Sequence, residues 1–170
     1  LDGWWVKDDN KECFQVSEDG FIEWRSGGGG ALMSRERYGD FVLRLQWKIL
    51  PDGNSGVWLR ATRGARQSKF GFEVQMRGDY GTEELTKDNT GAIYDVIPPL
   101  CLPTREDGLW NDLEVVCQGS RISVKINDTL VQDVDFDEHE ELAPRLRRGF
   151  IGLTDHGNYV AFRNIRIKPL

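Results

Sequence analysis

The chain has 170 residues, 39% of them hydrophobic, which is enough for one sizeable core and short for two, so a single domain over 1–170 is expected. Its 22 Lys and Arg against 28 Asp and Glu leave a net charge of -6, which disfavours nonspecific attraction to nucleic acid or anionic membrane. No apolar run is long enough to cross a bilayer, and no basic segment followed by an apolar one opens the chain.

In chain order, Trp4, Trp5 and Trp24 read as edge-strand packing residues. Gly27 to Gly30 is a flexible stretch that follows no strand–helix phosphate pattern, so it is not read as a nucleotide loop. Phe41, Leu43, Leu45, Trp47 and Ile49 alternate with polar neighbours, the pattern of a half-buried strand, and Pro51-Asp52-Gly53 turns the chain after it. In the next run Ser55, Val57 and Leu59 form the better core face, and Asn54, Gly56, Trp58 and Arg60 share the other. From Phe70 to Arg77, Phe72, Val74 and Met76 alternate with Glu73, Gln75 and Arg77, and Asp79 continues the polar parity.

Gly78 to Thr90 is a polar irregular stretch, Gly91 to Ile97 reads as a strand carrying Tyr94, and Pro98 to Gly108 holds three of the six prolines. Strands follow at Trp110 to Cys117, Arg121 to Asn127 and Thr129 to Val134, with Asn127-Asp128 as a hairpin turn. Asp137 to Arg148 is the one helical stretch, and Pro144 limits it to a turn or two. The last strands, Phe150 to Thr154 and Tyr159 to Lys168, flank a turn with Asp155, His156 and Asn158, and the second contains Arg163 and Asn164.

About ten short strands with little helix imply an all-β domain, either two stacked antiparallel sheets or a closed barrel. Cys13, Cys101 and Cys117 show no CxxC spacing and cannot all pair within one chain; Cys117 reads as a small buried hydrophobe, and one disulfide among the three is an open reading.

The polar set Asn54, Trp58, Arg60, Glu73, Gln75 and Asp79 supplies carboxylates, amides, a guanidinium and a flat indole. Amides and charges bond sugar hydroxyls, and an aromatic ring stacks on the C–H face of a sugar, so this face reads either as a saccharide site or as a solvated strand surface. Trp110 reads as a stacking platform or a core cap, and Tyr94 as a hydroxyl partner or a rim residue. No HxH or HExxH spacing marks a metal site at Asp155-His156, and no Gly-x-Ser-x-Gly elbow is present.

The segments YGDFVLRLQWKI, NSGVWLRA, FEVQMRGD, TGAIYDV, LWNDLEVVCQGSRISVKIND and GFIGLTDHGNYVAFRNIRIKPL, in this order, resemble the 3-keto-disaccharide hydrolase domain family from about Trp4 to Leu170. The resemblance implies a concanavalin A-like jelly-roll sandwich of two antiparallel sheets and a periplasmic or secreted location. It departs from the family pattern at Thr154, where the family often has glutamine, and at Arg77, which precedes Asp79 where the family has an aspartate soon after its Glu-x-Gln strand.

The implied chemistry is cleavage of glycosides already oxidised to a ketone at sugar C3, through removal of the C2 proton, expulsion of the C1 oxygen and hydration. The resemblance implies His156 or Glu73 as base and Arg60 or a divalent cation at the enolate, with no residue assigned to the metal. Asn54, Gln75, Asp79, Tyr94, Asp155 and Arg163 would hold the substrate, with Trp58 or Trp110 stacking on the ring. A noncatalytic carbohydrate-binding module is the alternative, and a structural or adhesion domain a third reading.

Overall fold

The computed structural model describes residues 1–6 and 12–170. Among the described residues twelve strands form two antiparallel sheets. The first sheet has five strands in the order β1 (Trp4–Val6), β4 (Ala31–Ser34), β11 (Phe150–Thr154), β6 (Asn54–Ala61) and β7 (Phe72–Arg77). The second has seven, in the order β10 (Thr129–Asp135), β9 (Arg121–Ile126), β8 (Asn111–Gln118), β5 (Phe41–Ile49), β12 (Val160–Pro169), β3 (Ile22–Trp24) and β2 (Phe14–Val16). This is the two-sheet sandwich rather than the closed barrel.

The alternation read from sequence sets the layers. Phe41, Leu43, Leu45, Trp47 and Ile49 of β5 meet Val57, Leu59, Phe72, Val74 and Met76 of β6 and β7 in one buried core between the sheets. Each such side chain contributes about 1.5–3 kcal/mol by leaving water. The Asn127-Asp128 turn has both residues at positive φ, 46° and 64°, as a tight hairpin between β9 and β10 requires.

Two expectations are corrected, and the open reading of the cysteines is closed. Gly91 to Ile97 is a turn-rich segment rather than a strand, closed on itself by the bridge Ile93↔Ile97 and held to the free edge of β7 by the bridge Val74↔Ile93. The Asp137 to Arg148 stretch forms only a 3₁₀ turn at Phe136–Glu138 followed by turns, and a single helical turn stands instead at α1 (Gln67–Phe70). The three cysteines are free thiols, Cys13 and Cys117 fully buried.

One irregularity decides the site. The β6–β11 register passes from Ala61↔Phe150 to Trp58↔Gly152, which leaves Leu59 and Arg60 opposite Ile151 alone. Arg60 takes φ 51° in this bulge. A bulge breaks the period of two, so Arg60 leaves the face that Asn54, Gly56 and Trp58 occupy.

Candidate active site on the outer face of the five-stranded sheet

Because Phe72, Val74 and Met76 enter the core, Glu73, Gln75 and Arg77 project from the other side of β7. There they meet Asn54, Gly56 and Trp58 of β6, through the pairs Asn54↔Arg77, Gly56↔Gln75 and Trp58↔Glu73. Two glycines make room. A Cβ on Gly56 would collide with the Glu73 carboxyl, and one on Gly152 would lie 2.9 Å from the Trp58 ring, so these positions let both large side chains lie down on the sheet.

Glu73 is 5% exposed. Its Oε2 accepts from the Trp58 indole N–H at 3.0 Å, while Oε1 is buried without a partner among the described residues. Burial pushes its pKa up from 4.5 to about 7; the Trp58 hydrogen bond opposes that rise and the nearby Asp88 charge adds to it. An orphaned buried oxygen of this kind costs roughly 1–3 kcal/mol. Perturbed carboxyls of this sort collect at functional sites.

The loop after β7 builds the wall above Glu73 and Gln75. Backbone bonds Gln75 N→Ala92 O, Gly91 N→Gln75 O and Tyr94 N→Glu73 O, of 2.9–3.1 Å, lay residues 91–94 along β7. The Gln75 amide donates to Asp88 Oδ1 at 2.7 Å and to Asn54 Oδ1 at 3.3 Å, and Arg77 pairs with Asp88 at 3.6 Å. His156, exposed in the turn after β11, feels the charges of Asp155, Arg77 and Asp88; its pKa is lowered, chiefly by desolvation, so it is neutral at pH 7.

Beyond Trp58 the same face becomes apolar: Ala31, Met33, Trp58 and Ala61 pack together with Trp5 and Phe150 against them. The Arg63 guanidinium lies 4.4 Å from the Phe150 ring centre and 5.1 Å from that of Trp5. Trp5, expected to serve only edge packing, thus shares a face with the polar cluster.

Of the residues expected to act together, Asn54, Trp58, Glu73 and Gln75 share one cluster, with His156 at its border and Tyr94 joined through its backbone. The others lie elsewhere. Arg60 is fully buried and donates to Gly39 O at 2.9 Å, Gly119 O at 2.7 Å and Asp40 Oδ1 at 3.2 Å, tying β6 to the ends of the opposite sheet. Asp79 staples the loop, accepting from Thr90 N at 2.8 Å, Thr90 Oγ1 at 2.8 Å and Asn89 Nδ2 at 3.1 Å.

Asp155 is buried, and its Oδ1 accepts from Gly157 N at 2.7 Å, forming the turn that presents His156. Gly29 and Gly30 bond the Asp155 backbone, which is the use the glycine run finds. Trp110 and Arg163 stand on the outer side of the seven-stranded sheet, the guanidinium 4.1 Å from the indole centre and Lys48 Nζ 5.0 Å from it, so the ring is already occupied. Asp88 and Thr154 were missed by sequence reading: one acid among several in an irregular loop carries no local mark, and the orphaned hydroxyl of Thr154 becomes visible only in the sheet. Among the described residues no three His, Cys, Asp or Glu side chains converge as a set of metal ligands.

A titratable carboxyl with one anchored and one free oxygen, beside amides and a neutral imidazole, can move a proton at a bound polyol. Among solved structures, a candidate glycosyl hydrolase of Parabacteroides distasonis matches with TM-score 0.86 and 23% identity over 97% of this chain and 93% of its own. A carbohydrate-binding module of Bacillus subtilis matches with TM-score 0.68 and 18% identity, over 98% of this chain and 95% of its own. These likenesses show the fold, a two-sheet sandwich in keeping with the concanavalin A-like architecture expected above.

A protein of Bacteroides thetaiotaomicron named 3-keto-disaccharide hydrolase is 27% identical over 98% of this chain and 70% of its own length. The model of the 3-keto-alpha-glucoside-1,2-lyase-like domain matches residues 1–168, and the chain belongs to that family.

Proposed function

We propose that this chain cleaves 3-keto-glycosides at the outer face of the five-stranded sheet, with Glu73 as the base. The observation that carries the reading is the Glu73 carboxyl: Oε2 is fixed by Trp58, Oε1 is unpartnered, and the pKa of about 7 leaves a good fraction ionised at neutral pH. A ketone at C3 acidifies the C2 proton. Transfer of that proton to Glu73 leaves an enolate, whose electrons re-form the ketone and a C1–C2 double bond as the C1–O bond breaks. Water then adds at C1 and C2 regains a proton, so the net change is hydrolysis.

The remaining roles follow from placement. Arg77, beside Asp88, takes the place expected for Arg60 as the cation nearest the developing negative charge. His156, neutral at pH 7, relays a proton to the leaving oxygen or from the incoming water. Asn54 and Gln75 offer amides to sugar hydroxyls, and the partly exposed rings of Trp5 and Phe150 beside Trp58 give the leaving group an apolar bed.

The deciding experiment follows release of a chromogenic aglycone from a 3-keto-glucoside and from its unoxidised parent, with and without chelator. Release from the keto substrate alone supports the reading, and loss on chelation adds a cation to it. Release from neither by folded protein would overturn it. A noncatalytic binding module is the second reading, favoured by the likeness to the Bacillus subtilis module. It expects saccharide affinity without turnover and an affinity indifferent to Glu73→Gln.

A further inference from the structure

Glu73 Oε1 is not the only orphan on this face. Thr154 Oγ1 is also buried without a partner among the described residues. Ile151 and Leu153 of β11 enter the core, whereas a Cβ on Gly152 would meet Trp58 and Met33 on the outer side, so Thr154 projects outward with Gly152. On one side its neighbour is Ala31, by the pair Thr154↔Ala31. On the other, the pairs Gly152↔Trp58 and Leu153↔Val57 continue to Gly56, and Ser55 Oγ bonds the Thr154 carbonyl at 2.9 Å.

Gly56 is the residue over which the Glu73 carboxyl lies. Paired residues in such a ladder stand about 5 Å apart, so Thr154 stands beside the glycine that the Glu73 carboxyl covers, on the side away from β7. Ala31 and Gly56 contribute no polar atom of their own to this row. Two unsatisfied buried groups at one spot call for a common partner.

We propose that Thr154 is a ligand-binding residue that, with Glu73, holds one neutral hydroxyl-type oxygen above Gly56. Ionised Glu73 can only accept, so the shared oxygen donates its O–H to Oε1; it accepts in turn from the Thr154 hydroxyl, which donates. A second carboxylate or a phosphate there would face Glu73 as a like charge. The oxygen is a sugar hydroxyl or the water it replaces, and only the choice between these two rests on reading this face as a sugar site.

The groups that act on Glu73 from the surrounding elements are the Trp58 indole on β6 and the Asp88 charge in the loop; Arg77, on its own strand, pairs with Asp88, and His156 after β11 feels the charges of Arg77, Asp88 and Asp155. The shared oxygen adds a donor to this set. A donor to the carboxylate favours its ionised form, so removing Thr154's hold on that oxygen raises the titration midpoint of Glu73.

The test titrates Glu73 by carbon NMR of the carboxyl-labelled protein, which needs no turnover and so stands apart from the 3-keto-glycoside reading. In Thr154→Val the Glu73 midpoint is expected to rise by about half a pH unit or more, and in Thr154→Ser to stay at the wild-type value. If Thr154→Val does not fold, Thr154→Ala serves in its place. An unchanged midpoint in the variant lacking the hydroxyl, or an equal rise in Thr154→Ser, overturns the proposal. Methyl α-glucoside as probe then identifies the source: a Glu73 signal that moves with the sugar in wild type but not in Thr154→Val assigns a sugar hydroxyl, and a signal that ignores the sugar while the midpoint still rises assigns a water.

Discussion

The Trp58 indole N–H donates to Glu73 Oε2 at 3.0 Å, across the strand pair Trp58↔Glu73. This bond opposes the burial that pushes the carboxyl pKa to about 7. Trp58→Phe keeps the ring on Gly152 and removes the donor, so the Glu73 pKa is expected to rise further. A rise of one unit lowers the ionised fraction at pH 7 roughly fivefold. The acidic limb of the kcat/KM profile should move to higher pH by the same amount, and an unmoved limb would show that this bond does not set the base.

Glu73 also makes stability depend on pH. Its folded pKa, about 7, lies above its ordinary 4.5, so the folded state binds the proton more tightly than the unfolded chain does. Stability is fully present below about pH 4.5, falls as pH rises through that window, and levels off above about pH 7, with a total loss on the order of 3 kcal/mol. Glu73→Gln carries no such charge. Its melting temperature should exceed that of wild type above pH 7, with the advantage shrinking towards pH 5, while turnover falls by about 10²–10⁴-fold. Equal pH dependence of the two melting curves would sink this account.

His156 stands at the border of the site in an exposed turn, and desolvation is the first cause of its lowered pKa. The lowered pKa favours the neutral imidazole, which is able to accept a proton. His156→Ala should leave the melting temperature within a degree or two, since surface changes are worth about 0.5 kcal/mol or less, and lower kcat by about 10²-fold or more. Full turnover in the variant would remove the residue from the mechanism.

Arg60 illustrates why parity alone misplaces a side chain. Period-two reading puts it beside Trp58, but the bulge opposite Ile151 inserts one residue and turns its guanidinium towards Gly39, Asp40 and Gly119. Arg60→Ala leaves two carbonyls and a carboxylate short of a donor and should cost about 3 kcal/mol of stability. Turnover per folded molecule should persist. A urea melt paired with kcat separates these effects, and a stable but inactive variant would return Arg60 to the site.

The regular parts of the sheets were legible because alternation records which face is buried. Phe72, Val74 and Met76 against Glu73 and Gln75 fixed both the core and the cluster without knowledge of neighbouring strands. What alternation cannot record is where the chain leaves its period or returns from a distance. Asp88 reaches Gln75 only because residues 91–94 lie along β7, Asp79 turns inward to hold Thr90, and Trp110 finds Arg163 on the far sheet. The short strands β1–β4 carry too few residues for a period to be counted, so Trp5 gave no sign of the face it occupies.

Gly56 offers the most direct test of the site geometry, because its missing side chain is the space that the Glu73 carboxyl fills. A Cβ there must displace Oε1, whereas the backbone at Gly56 itself is ordinary strand that alanine can adopt. Gly56→Ala should therefore reposition the carboxyl more than it unfolds the sheet. A displacement of about 1 Å at a catalytic group typically costs about 10²-fold in rate. The expected result is a folded protein with a native melting profile, a hundredfold lower kcat and a weakened Trp58–Glu73 bond, read from the indole N–H resonance. Retained kcat with a shifted indole signal would mean that the seat of Glu73 above Gly56 is not the seat of the chemistry.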